Sequence, residues 1–250
     1  MDNFYKTILI LAIIIISAQS LWSQTNEIKL ANEYFQQGEY DKALELYSDL
    51  EKDKNAIPLI HSNYQSLLLV RDSKALEKYL NRVLKYYPSN LAYLTDLMAF
   101  YEATDDSQFK KLIQKFKKDY DNNQYQLAAL AKNLATKNIH DQALDFYRLA
   151  RSVNNSPYAF SMEMAAIYRE LGDRKNMTEE YLNYAQSNPA NINYVKNLFQ
   201  NLFIEEADQV ALEETLIAKI QNAPNQAIYP DLLIWLYIQR KEFYGAFILC

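Results

Sequence analysis

The chain has 250 residues, of which only three are glycine and six proline, against roughly 17 and roughly 12 at average usage. So few turn formers exclude an all-β sandwich or barrel, which needs a turn signal every ~8–12 residues, and leave helices joined by short polar turns. With 50% hydrophobic and 23% charged residues the composition is that of a folded protein, and a net charge of −5 offers no footprint for DNA or RNA.

The first element reads as a segment for export. Lys6 precedes an apolar run from Ile8 to Ala18, broken only by Ser17, and small residues follow at Ala18 and Ser20. That is the order of a secretory signal, and the run is shorter than the about 20 apolar residues that a membrane-crossing helix needs. Residues 1–20 are therefore expected to be a signal peptide, cleaved after residue 20, 18 or 23, with no stable transmembrane span once it is removed. The lone cysteine, Cys250, cannot close an intramolecular disulfide, so the fold has to be held by packing.

The rest of the chain repeats itself. Around Ala43 it reads LANEYFQQGEYDKALELYSDL, around Ala143 LAKNLATKNIHDQALDFYRLA, and around Met177 MAAIYRELGDRKNMTEEYLNYAQSNP. In each, a small residue (Ala31, Ala131, Ala165) is followed three places later by a large apolar one (Tyr34, Leu134, Tyr168). Ala43, Ala143 or Met177 comes nine places on, and an aromatic (Tyr47, Tyr147, Tyr181) four beyond that. Ala75, Phe109, Ala211 and Ala246 extend the series at intervals of 32 to 35 residues. Seven units follow in chain order: 24–55, 56–89, 90–123, 124–157, 158–191, 192–226 and an incomplete 227–250. Tyr40, Ala43, Leu44, Tyr47 and Leu50 show the three-and-four spacing of an amphipathic helix. All six prolines fall at or near junctions between units, where they harm no helix interior. Gly38 and Gly172 lie between a unit's two helices, and Gly245 lies inside a helix, where its missing side chain permits a close approach.

This pattern resembles the tetratricopeptide repeat family, a 34-residue helix-turn-helix. The likeness covers nearly all of the chain after the export segment. It is strongest in 24–55, 124–157 and 158–191, while Asn63 and Phe199 replace the small residue in the second and sixth units. The resemblance implies an all-α fold: a right-handed superhelical solenoid of antiparallel helix hairpins over 24–250, in an exported bacterial protein. Such hairpins complete their core only against neighbours and need a polar cap. No cap follows the apolar segment holding Trp235, Leu236, Phe247 and Leu249, so the 250 residues are expected to be the front portion of a longer protein.

The resemblance also implies a concave groove lined by first helices, at one, four and five places after the close-packed position. Those places are Asn32, Phe35 and Gln36; Met98, Tyr101 and Glu102; Lys132, Ala135 and Thr136; Ala166, Arg169 and Glu170; and Trp235, Ile238 and Gln239. Family members that clamp a chaperone's C-terminal carboxylates use a lysine and asparagine set. Asn32 matches one asparagine, but Ile28 stands where the first lysine belongs, so that ligand is not implied.

Motifs for chemistry are absent. Three scattered glycines form neither G-x-G-x-x-G nor a P-loop, and His61 and His140, the only histidines, lie outside H-E-x-x-H. Both read as surface or turn residues, and no cofactor or metal is expected. Lys110, Lys111, Lys115, Lys117 and Lys118 read as the solvated face of an amphipathic helix. The pairs Asp105-Asp106, Glu179-Glu180, Glu205-Glu206 and Glu213-Glu214 read as turns and wet faces, since no calcium loop surrounds them. The expectation is a non-enzymatic scaffold that binds a peptide or partner protein of an envelope complex, in the periplasm, at the outer envelope or outside the cell. Two alternatives stand beside it: the non-catalytic front of a larger exported enzyme, and a glycan-binding module using Tyr101 and Trp235.

Overall fold

The computed structural model describes residues 25–249; the expected signal peptide and Cys250 lie outside them. Among the described residues the regular structure is helical throughout, with no strand. In chain order the helices are α1 (residues 25–36), α2 (Tyr40–Leu50), α3 (Ile57–Arg71), α4 (Ser73–Tyr86), α5 (Leu91–Thr104), α6 (Asp106–Asp119) and α7 (Gln124–Thr136). They continue as α8 (His140–Asn154), α9 (Ser161–Glu170), α10 (Arg174–Ser187), α11 (Ile192–Leu202), α12 (Glu206–Asn222), α13 (Ile228–Gln239) and α14 (Phe243–Leu249). A 3-10 turn, Pro189–Asn191, precedes α11. The chain divides after Lys110 into two compact units.

In the first unit α3 packs on α2 and α4, and α4 on α5. Asp72 starts α4 by accepting the Ala75 N–H at 2.9 Å, satisfying one of the donors a helix N-terminus leaves unpaired. The face it launches, Leu76, Tyr79, Leu80 and Val83, is buried. Ala75, the expected packing point, is only partly covered, and the buried face of α4 begins one place later at Leu76. Helix α3 is apolar on several sides: Ile57, Ile60, Tyr64, Leu67 and Leu68 are buried, while Leu59, Leu69 and Val70 face out.

His61 corrects the surface reading, for it is 8% exposed and sits inside this packing. Its Nε2 lies 2.8 Å from Asp96 Oδ2 and its Nδ1 3.1 Å from the Tyr79 hydroxyl. A carboxylate only accepts, so Nε2 carries a proton, and in the neutral ring the Tyr79 O–H donates to Nδ1. Both ring nitrogens are thereby satisfied, which is what allows an imidazole to be buried.

In the second unit α7 packs against α8, α9 against α10, and α13 against both α12 and α14; α8 also meets α9, and α10 meets α11. Ala131, Ala143 and Ala150 are fully buried, as small residues at a close helix crossing should be, with Leu134 and Phe146 filling the space beside them. In α12 the expected point, Ala211, is exposed, and Leu212 and Leu216 are buried in its place. The buried face of α12 is thus shifted by one position from the repeat.

Four hairpin turns share one device. The N–H groups of Glu39, Ile139, Asp173 and Glu242 donate to the carbonyls of Tyr34, Leu134, Tyr168 and Tyr237 at 2.8 to 3.0 Å. The residue before each donor, Gly38, Asn138, Gly172 or Lys241, takes a positive φ between 60° and 78°. This left-handed cap ends the first helix and turns the chain into the second. Gly245 approaches a side chain: a Cβ there would stand 3.2 Å from the Tyr237 ring.

Glu180 is a second correction, since it is buried at 6% exposure. Both its carboxylate oxygens accept from the Arg151 guanidinium, at 3.0 and 2.7 Å. Arg151 also donates to the Ala159 carbonyl and to Ser161 Oγ, so one side chain ties α8, the α9 N-terminus and α10 together. Glu213 likewise is paired, with Arg240 at 2.5 Å. The lysine face of α6 is mostly as expected: Phe109, Ile113 and Phe116 are buried and Lys110, Lys111, Lys115 and Lys118 are exposed, but Lys117 is half-buried with its Nζ 5.4 Å from the centre of the Phe146 ring.

Candidate interaction surface

In the first unit the expected surface is only partly available. Asn32 is half-buried and takes the Tyr47 O–H at 2.7 Å and the Asn63 amide at 3.0 Å, so its side chain braces α1 against α2 and α3. Phe35 is half-buried edge-on to Tyr40, with ring centroids 5.7 Å apart, and Gln36 is exposed.

Met98 and Tyr101 are corrections. Met98 is fully buried and Tyr101 8% exposed, because the inward face of α5, Thr95, Leu97, Met98 and Tyr101, is centred about one residue later than the repeat suggested. The Tyr101 hydroxyl donates to Glu77 Oε1 at 2.9 Å and accepts from Asn81 at 3.2 Å. Burial first, then Glu77, raises its pKa, while Asn81 lowers it. A ring so placed offers no free aromatic face to a sugar. Glu102, the third residue of this set, is exposed.

In the second unit the expected residues face solvent. Lys132 and Thr136 on α7, and Arg169 and Glu170 on α9, are exposed, while Ala135 and Ala166 are half-buried beside them. Arg169 extends over a cleft of about 200 Å³ that also takes in Tyr168, Gly172, Arg174 and Asn201. Arg174 there is held by the Leu202 carbonyl and Asp208, both at 3.1 Å. The Arg148 guanidinium donates to the Tyr168 hydroxyl at 2.8 Å, and His140 Nε2 lies 3.6 Å from Glu170. Around α13, Ile238 is 48% exposed, Gln239 is exposed and Trp235 is half-buried. Trp235 and Gln239 line a further cavity of about 150 Å³ between α11, α12 and α13. Another cleft, about 480 Å³, lies at the opposite ends of α11 and α13, around Gln186, Ile192, Gln226 and Asp231.

Sequence reasoning missed the polar groups that do most to position these helices, His61, Asp96, Arg151 and Glu180. Their partners lie 18 to 35 residues away, beyond the reach of helical spacing. Among the described residues no group of three or more His, Cys, Asp or Glu is arranged to hold a metal ion, and no helix is long and apolar enough to cross a membrane. Compared with known proteins, the sequence matches no protein-family model and no curated relative.

Proposed function

We propose that this chain is a non-enzymatic scaffold of the tetratricopeptide type, which holds a peptide or partner protein against the first helices of its hairpins. The observation that carries this reading is the exposure, in one unit and at repeat-related places, of Lys132, Thr136, Arg169, Glu170, Ile238 and Gln239, while Leu134, Tyr168 and Leu236 on the same helices are buried. Such a face combines fixed helices with side chains free to form hydrogen bonds and ion pairs, as a recognition surface requires. The recurrent hairpins and shared turn geometry support a superhelical stack as their arrangement. The apolar run at Ile8 to Ala18 supports export and, with it, a partner in the cell envelope.

Site-specific photocrosslinking tests the reading. A photoreactive phenylalanine at Lys132, Arg169 or Gln239 is expected to give one common adduct in cells. The same group at Asp145 or Ala211, exposed on second helices, should give none. Equal labelling from both sets, or no adduct from the first, would overturn the proposal.

A further inference from the structure

A cavity lies between α11, α12 and α13. Phe199 and Phe203 stack with centroids 5.1 Å apart and rings 16° from parallel. Leu212 and Leu236, 1% and 3% exposed, complete the apolar lining together with half-buried Trp235. A cavity of about 150 Å³ of this character accommodates a benzene-sized group.

Polar capacity in the side chains lining the site comes from three carboxamides and the Trp235 indole N–H. Gln209 uses its amide on the Phe203 carbonyl at 3.1 Å. Gln200 and Gln239 are exposed, with no hydrogen-bond partner among the described residues. None of the residues lining the cavity is charged, and nearby Arg240 is shared by Glu213 and Glu242 while Arg174 is held by Asp208. A charged guest would lose its hydration and find no counter-ion, whereas an apolar group gains from burial. A primary carboxamide both donates and accepts, which suits the amide groups of an extended backbone. Ile204 and Ile238, next in sequence to the lining residues Phe203 and Gln239, are 75% and 48% exposed.

We infer that this cavity is an anchor pocket that takes one uncharged apolar side chain, leucine- to phenylalanine-sized, of an extended peptide whose main-chain amides pair with Gln200 and Gln239. The inference rests on the scaffold reading and names the chemistry of its partner.

The test uses the full chain with Trp22→Phe, so that Trp235 is the sole indole. Blocked pentapeptides acetyl-Gly-Ala-X-Ala-Gly-amide, with X as Leu, Phe, Lys or Glu, are titrated while indole emission is followed, with maltotriose as a neutral sugar. Leu and Phe peptides are expected to shift the emission saturably, binding at least about tenfold more tightly than Lys and Glu peptides. Gln200→Phe should block the mouth and abolish the response with an unchanged thermal melt, and Gln200→Ala with Gln239→Ala should weaken it about tenfold. Equal binding of all four peptides, a response to maltotriose alone, or no saturable response would overturn the pocket. Adducts at Lys132 and Arg169 that persist in the Gln200→Phe chain would leave the scaffold reading standing; their absence from the unblocked chain would remove that reading instead.

Discussion

Arg151 is 18% exposed at its side chain and Glu180 8%, so neither charge is bathed in water and each depends on the other. Glu180→Ala leaves a guanidinium facing the Ala159 carbonyl and Ser161 without its counter-ion. It is expected to cost about 3 kcal/mol or more. Replacing both partners with apolar residues, Arg151→Met with Glu180→Leu, should cost less than the single change, because no buried charge is stranded. Urea unfolding of the variants measures the difference, and a double variant weaker than Glu180→Ala would contradict it. Tyrosines make a second residue-scale case. Burial raises Tyr47 and Tyr181 above the ordinary 10.0 and pushes Tyr147 up to about 12. In Tyr64 and Tyr79 burial raises the hydroxyl further still, with Glu51 adding to it. The folded chain keeps these protons where the unfolded chain releases them. Stability is therefore full below pH 10.0 and falls as pH rises toward about 12, because the unfolded chain's tyrosines ionise there while the folded chain's stay protonated. Unfolding midpoints in urea should decline between about pH 10 and about pH 12; a constant midpoint would contradict the assignment. Tyrosine at the packing positions was legible from the repeat. The burial of His61 and Glu180 was not, since each is made tolerable by partners that spacing does not reveal.

At the scale of the element, the rotation of a helix about its own axis matters as much as its presence. Helix α12 buries Leu212 and Leu216 and exposes Ala211. Leu212→Ala is expected to cost about 2–5 kcal/mol by leaving a cavity, whereas Ala211→Leu should stay within about 0.5 kcal/mol of the parent. Chemical denaturation of the two variants settles which residue points inward, and a reversed ranking would place α12 one residue earlier. The turns were plainer in the sequence. Gly38 and Gly172 marked where first helices stop, because glycine takes a positive φ without a Cβ clash. Asn138 and Lys241 adopt the same backbone without that mark, at φ 60° and 61°. Their hairpins were visible only through the spacing of the alanines and aromatics around them.

Across the whole molecule, burial is distributed unevenly. Helices α7 and α8 hold nine residues at 3% exposure or less, from Leu127 to Ala150, whereas α14 buries Ala246 alone and exposes Phe243, Tyr244, Phe247 and Ile248. Amide hydrogen exchange should therefore be slowest in α7 and α8 and fastest in α14, since local opening follows buried apolar contact. Protection in α14 equal to that of α8 would show a cover on its exposed face.

Composition, helical spacing, caps and turn residues act within a few residues along the chain. By itself, then, the sequence determined that the molecule is helical, roughly where its hairpins turn, and that α6 presents most of its lysines to water. Which flank of α3, α5 or α12 is covered depends on helices packed from elsewhere in the chain. In α3 and α5 apolar residues lie on more than one side, so periodicity alone does not choose between them. Tertiary packing made that choice. It enclosed Met98 and Tyr101, joined His61 to Asp96 and Arg151 to Glu180, and left the uncharged cavity beside Trp235 between three helices whose contributing residues are spread over about forty positions.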